Sequence, residues 1–145
     1  MTTLERSIII KASRDEIDAV ALDGNRLSEW YAGMQETTPD ATYPEVGGVI
    51  NAVYKAAGMN FNVKIISTEL VRGEGITMQM DGMITGTNRW VYTSADGGVT
   101  VTCTMDYDMP GGKLGQAVNK LFIEKMNAEN LEKSLSNLKK LVEAG

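Results

Sequence analysis

The sequence has no histidine and a single cysteine, Cys103. Without an imidazole, Ser-His-Asp and Cys-His catalysis are excluded, and a conventional zinc site loses its usual nitrogen and sulfur ligands. One cysteine forms no internal disulfide. Its neighbours Val101, Thr102, Thr104 and Met105 are apolar or β-branched, which marks Cys103 as a small buried strand residue rather than a nucleophile. No run of about eighteen apolar residues is present, so no membrane-spanning helix is expected. The stretch from Met1 to Arg6 lacks the basic-then-apolar layout of a signal peptide, and the expectation is a soluble, cytoplasmic protein. Basic residues are the minority, 14 Lys and Arg against 19 Asp and Glu, for a net charge of −5. That balance speaks against a nucleic-acid partner, whose affinity comes largely from neutralising phosphates. Only residues 113–145, with six Lys and four Glu, carry a positive excess, which reads as the solvated face of a helix.

What is present suits one compact domain spanning residues 1–145, with 43% hydrophobic residues and only 3 Pro. Ile8, Ile9 and Ile10 favour a first strand, from Thr3 to Lys11. Ser13 with Glu16 three residues on matches a capping box, so a short helix is expected from Arg14 to Leu22. Asp23-Gly24-Asn25 interrupts it before a second helical piece, Arg26 to Tyr31. From Met34 to Met109 the pattern is apolar-polar alternation cut by glycines, the mark of an antiparallel meander. Its breaks imply strands at 35–42, 49–57, 59–70, 75–81, 83–94 and 99–109, with Asp81-Gly82 and Asp96-Gly97 as the clearest turn dipeptides. After Pro110-Gly111-Gly112, apolar residues from Leu114 through Val118, Leu121, Phe122, Ala128, Leu131, Leu135, Leu138 and Leu141 to Val142 recur at steps of three and four. They predict one helix of about thirty residues, roughly 45 Å long.

A curved sheet cannot touch a straight helix everywhere, so this order of elements implies a space between them. Alternation puts Tyr54, Met59, Phe61, Met78, Met80, Asn88, Trp90, Met105, Tyr107 and Met109 on the face lining it. Trp30 from the short helices and Leu114, Val118 and Phe122 from the long helix complete the candidate ligand-binding set. Five of the 9 methionines are in that set, and thioether side chains are flexible and polarisable enough to fit irregular apolar guests. The alternative use of the same residues is a dry, filled core.

The element order, together with Ala12-Ser13-Arg14-Asp15-Glu16-Ile17, Asp23 and Trp30, resembles the START-like superfamily, the helix-grip fold of polyketide cyclases, lipid-transfer domains and the birch-pollen allergen family. The resemblance covers nearly the whole chain and rests on layout. It implies an α+β fold in which a seven-stranded antiparallel sheet, with two short helices after its first strand, grips the long C-terminal helix around a deep apolar pocket. Ser13 stands where members often carry proline, and Asp18 follows Ile17 where they often carry an aromatic residue. The fold hosts carriers, sensors and enzymes alike, so it implies no single activity.

Other chemistry-bearing patterns lead nowhere specific. Asp106 and Asp108 share the solvent face of a strand without the further oxygen ligands a cation needs. Gly111-Gly112-Lys113 precedes a helix, but Leu114 occupies the Ser/Thr position of a phosphate loop. Gly73-Glu74-Gly75 lacks a third glycine for a dinucleotide site, and no metal or other cofactor is called for. Arg89 faces outward unless a one-residue bulge exchanges it with Asn88. The leading expectation is binding or transport of a small hydrophobic ligand such as a lipid, polyketide, isoprenoid or aromatic compound. The protein would act as a monomer or weak homodimer. One alternative is a polyketide cyclase or dehydratase-like enzyme using the same pocket, with Asn88 and Tyr107 to polarise a carbonyl; the other is a protein-interaction module with a filled core. A cavity of roughly 300 Å³ or more separates the first two from the third.

Overall fold

The computed structural model describes residues 2–56, 58–82, 84–108 and 116–145, except for the side chains of residues 56 and 116–120. Seven strands form one antiparallel sheet: β1 (Thr2–Ile10), β2 (Met34–Pro39), β3 (Val49–Ala56), β4 (Met59–Val71), β5 (Gly75–Gly82), β6 (Thr85–Ala95) and β7 (Gly98–Asp108). Between β1 and β2 lie α1 (Arg14–Ala21), a 3-10 turn (Gly24–Arg26) and α2 (Leu27–Trp30), and α3 (Gln116–Ala144) closes the chain. The strand order is β1-β7-β6-β5-β4-β3-β2. The chain therefore starts at one edge, crosses to the other through the two short helices, and returns strand by strand. That crossing is what closes one end of the sheet.

Local chemistry explains these boundaries. Ser13 Oγ accepts the Glu16 amide, and the Glu16 carboxylate accepts the Ser13 amide in return, the reciprocal box expected for α1. Asp23 caps the 3-10 turn by accepting the Asn25 amide. Gly97, at φ +77°, makes the β6–β7 turn as its Asp-Gly pair requires. Gly82 behaves differently: it is the last residue of β5 and pairs with Val63. A Cβ there would stand 2.5 Å from the Asn62 carbonyl oxygen, so this glycine serves close strand approach within the ladder.

The alternation holds through the middle of the sheet. Ile50, Ala52, Tyr54, Val63, Ile65, Ile76, Met78, Met80, Trp90, Tyr92 and the odd-numbered residues of β7 from Val99 to Tyr107 are buried on one face. The β6 register runs without a shift against both neighbours, so Arg89 is exposed and Asn88 buried. Asp106 and Asp108 lie on the outer side, where Asp106 accepts the Thr3 hydroxyl at 2.6 Å. Ser67 continues the inward alternation of Val63 and Ile65, just before a register shift between Ser67 and Glu69, and its hydroxyl donates to the Pro44 carbonyl at 2.8 Å.

Helix α3 lies across this buried face. Its C-terminal half supplies Leu131, Leu135, Leu138 and Val142 to the core, as the apolar stripe requires. Its N-terminal half corrects the expectation: Leu121 is 71% and Phe122 56% exposed. Polar residues of the helix also face inward, alongside Met126 and Ala128. Asn127 is buried, Asn130 donates to the Tyr54 hydroxyl at 2.8 Å, Ser134 accepts the Ala32 amide at 2.8 Å, and Asn137 donates to the Trp30 carbonyl at 3.2 Å.

Candidate functional site

Between the sheet, the short helices and α3 lies a cavity of about 30 Å³. Ala21, Leu27, Trp30 and Tyr31 come from the short helices and the residue after them. Met34, Tyr43, Ile65, Ile76, Met78, Met80, Asn88, Trp90 and Tyr92 come from the strands and the β2–β3 connection, and Leu138 from α3. The wall is apolar and aromatic, with Asn88 its one amide and no charged side chain among the described lining residues. Its volume is about a tenth of the roughly 300 Å³ at which small-molecule pockets begin. The gap between sheet and helix exists, then, but its own side chains nearly fill it. A larger groove of about 560 Å³ runs along the outer side of β2 to β5, among Glu36, Thr38, Asn51, Asn62, Lys64 and Asp81. It is open and lined by both polar and apolar residues.

Of the residues singled out from the sequence, Trp30, Met78, Met80, Asn88 and Trp90 line the cavity together. Tyr54, Met105 and Tyr107 are buried in the same core but not on that wall. Phe61 is partly buried. Met59 is 59% exposed and, like Phe122, does not point inward, because both lie near the end of the sheet where α3 has not yet closed over it. Met109 and Leu114 lie outside the described residues, as does the side chain of Val118. Sequence reasoning missed Tyr31 and Tyr43, which come from connections where no alternation exists to give a face, and Met34, the first residue of β2, which precedes a register shift. It also missed Ala21, Leu27, Ile65, Ile76, Tyr92 and Leu138, because apolar patterning marks such residues as interior without separating cavity wall from core.

The aromatic part of the wall is a cluster of rings in mutual contact. Trp30 and Trp90 meet edge to face, with ring centroids 5.4 Å apart and planes at 90°, and Tyr31 packs against both. Tyr31 donates to the Met105 sulfur at 3.8 Å and accepts the Asn88 amide at 3.4 Å; Asn88 Oδ1 accepts the Cys103 thiol at 3.4 Å. Burial pushes the Cys103 thiol up, which leaves it protonated and unreactive at neutral pH. Burial likewise raises the Tyr43 phenol to about 12 and lifts Tyr31 further still, with Cys103 adding to the latter. These phenols are neutral groups at any ordinary pH.

At the α1 end, the Asp18 carboxylate accepts the Gly73 amide at 2.6 Å, while Arg14 donates to the Gly73 carbonyl at 2.7 Å. The two side chains hold the β4–β5 hairpin from both sides. The other Asp18 oxygen stands near the Tyr92 hydroxyl. Burial, then Asp18, raise that phenol, yet no hydrogen bond of normal geometry joins the two oxygens.

With this geometry in place, comparison with known proteins gives the family. Residues 1–143 match the model of the family described as polyketide cyclase / dehydrase and lipid transport, and the chain belongs to it. Among solved structures, TTHA0849 from Thermus thermophilus superposes with a TM-score of 0.86 at 16% identity, covering 99% of this chain and 98% of that one. The Zhui aromatase/cyclase from Streptomyces sp. R1128 gives 0.80 at 13% identity, over 98% and 93% of the two chains. Ara h 8.0201 gives 0.69 at 13% identity, over 99% of each. At these identities the likeness is one of fold, and the helix-grip architecture is the shared property. None of the curated proteins matches the sequence. Among the described residues, no helix is long and apolar enough to cross a membrane.

Proposed function

We propose that the protein binds a small, mostly apolar molecule between the sheet, the short helices and α3. The observation that carries this reading is the composition of the cavity wall: aromatic rings together with three methionines, Met34, Met78 and Met80, and no charged side chain among the described lining residues. Membership of a family described by polyketide cyclisation and lipid transport supports it. A cavity of about 30 Å³ admits such a guest only if the wall parts, and the methionines, with three rotatable bonds each, are the residues that give way most easily. Aromatase/cyclase neighbours share the fold, and a second reading as a cyclase or dehydratase-like enzyme rests on Asp18. That carboxylate stands beside the Tyr92 hydroxyl of the wall and is placed to take a proton through it.

Native mass spectrometry followed by a thermal-shift screen of apolar compounds tests the binding reading. A ligand at about 100 times its Kd adds about 2.7 kcal/mol of stability, a shift of several degrees for a chain of this size. Met78→Asp and Trp90→Ala should each abolish that shift, and Asp106→Asn on the outer face should leave it intact. Silence across a broad panel would count against binding.

A further inference from the structure

Several hydrogen-bond donors around the cavity lack a good acceptor. Trp30 and Trp90 line the cavity at 3% and 4% exposure, and neither indole N–H has a partner. An indole N–H is a donor only, so each leaves an unmet demand for an acceptor inside an apolar wall. The Tyr43 hydroxyl donates to the Met78 sulfur at 3.4 Å and the Tyr31 hydroxyl to the Met105 sulfur at 3.8 Å. Thioether sulfur is a weak acceptor, so both protons are available to a better one. The single amide oxygen of the wall, on Asn88, already accepts the Cys103 thiol. No Lys, Arg, Asp or Glu is among the described lining residues.

We infer that the cavity selects neutral molecules that present hydrogen-bond-accepting oxygen, ketones above all, over hydrocarbons and carboxylates of the same ring skeleton. A carbonyl oxygen has two lone pairs and gives the Trp30 and Trp90 N–H groups the acceptor they lack. A hydrocarbon leaves them unpaired. A carboxylate brings a charge that no cation among the described lining residues offsets, at high desolvation cost. This inference rests on the binding reading above and gives it a ligand chemistry.

Three probes on one bicyclic skeleton decide it at pH 7: tetralin, 1-tetralone and 1,2,3,4-tetrahydro-1-naphthoate, each titrated by calorimetry with thermal shift in parallel. The expected result is 1-tetralone bound about ten-fold more tightly than tetralin, with the carboxylate weaker than both. In Trp30→Phe and Trp90→Phe, which keep a ring and lose the N–H, the ketone-to-hydrocarbon ratio should fall towards one. Taking the ratio cancels any change in packing common to both probes. Should the Trp variants fail to fold, Tyr43→Phe in the half-buried β2–β3 connection should still lower the ratio, and the wild-type ratio decides by itself. Equal binding of tetralone and tetralin would overturn the acceptor rule alone. It would mean that water satisfies the indoles, since about 30 Å³ holds one or two molecules. No binding of any probe would overturn the binding reading and this inference with it.

Discussion

Asn88 shows how much one side chain decides here. It is 4% exposed, in the middle of β6, and its amide is held by Tyr31 on one side and Cys103 on the other. An amide meets both contacts without charge; a carboxylate of the same shape does not. Asn88→Asp should therefore cost about 3 kcal/mol at pH 7, because an ionised group would be buried with no cation beside it. Desolvation raises the pKa of such a carboxyl in the folded state above its unfolded value near 3.9. The penalty is then small below about pH 4, grows as pH rises through the folded pKa, and levels off above it. Urea unfolding of the variant and the native protein at pH 4 and pH 7 should show the gap widening with pH. A gap of constant size would mean that the side chain escapes to water and that the register of β6 at this point is different.

At the scale of elements, α3 separates what is legible in the sequence from what is not. The apolar stripe from Leu131 to Val142 is readable, and those residues are in the core. Extending the same stripe back to Phe122 and Leu121 fails, because an apolar residue near the end of a helix has no face to cover once the sheet beneath it ends. Strand alternation is readable wherever strands pair on both sides, which is why it places Met78, Met80, Asn88 and Trp90 on the cavity wall. Met59 lies at the first position of β4, where the pattern continues but the cover does not. What alternation does not reveal is the polar lining of α3. Tyr107 and Asn127 are both buried and face each other: burial pushes the Tyr107 phenol up, while Asn127 draws it down. Yet neither the hydroxyl nor the amide nitrogen reaches a partner at hydrogen-bond geometry. Removing both polar groups together, in Tyr107→Phe with Asn127→Leu, should be neutral or stabilising by about 1 kcal/mol, since two poorly paired buried groups leave at once. Either change alone should destabilise by a similar amount. A double-mutant cycle in urea measures the coupling, and a double variant worse than both singles would show that the pair has a partner which the geometry does not reveal.

For the whole molecule, the question is how a helix crossing a sheet is held when the space between them is only partly filled. Along β1 the helix is tied by polar contacts: Thr2 donates to Glu124, Arg6 pairs with Glu132, Lys139 donates to the Ile9 carbonyl, and Glu143 accepts the Lys11 amide at 2.8 Å. Towards the other edge it is tied through the short helices and β3, by Asn137 to Trp30, Ser134 to Ala32 and Asn130 to Tyr54. These ties fix the distance between helix and sheet, and so the width of the cavity. Glu143 is the one whose ionisation can be followed. The Lys11 amide, and after it Lys139, hold its carboxyl below the usual carboxylate value of 4.5. For a group lowered in the folded state, the stabilisation is complete above the unfolded pKa and is lost as pH falls through the folded one. Glu143→Gln should accordingly lower Tm at pH 7, and the difference should shrink as pH falls below the unfolded value and through the lowered folded one. Glu16 and Asp40 are lowered in the same way by the amides they cap, so the native protein should lose stability over the same acid range for three separate local reasons. Thermal unfolding of both proteins between pH 7 and pH 3 tests this. If the two curves stay parallel, the end of α3 is not held to β1 by this charge, and the width of the cavity is set by the core leucines alone.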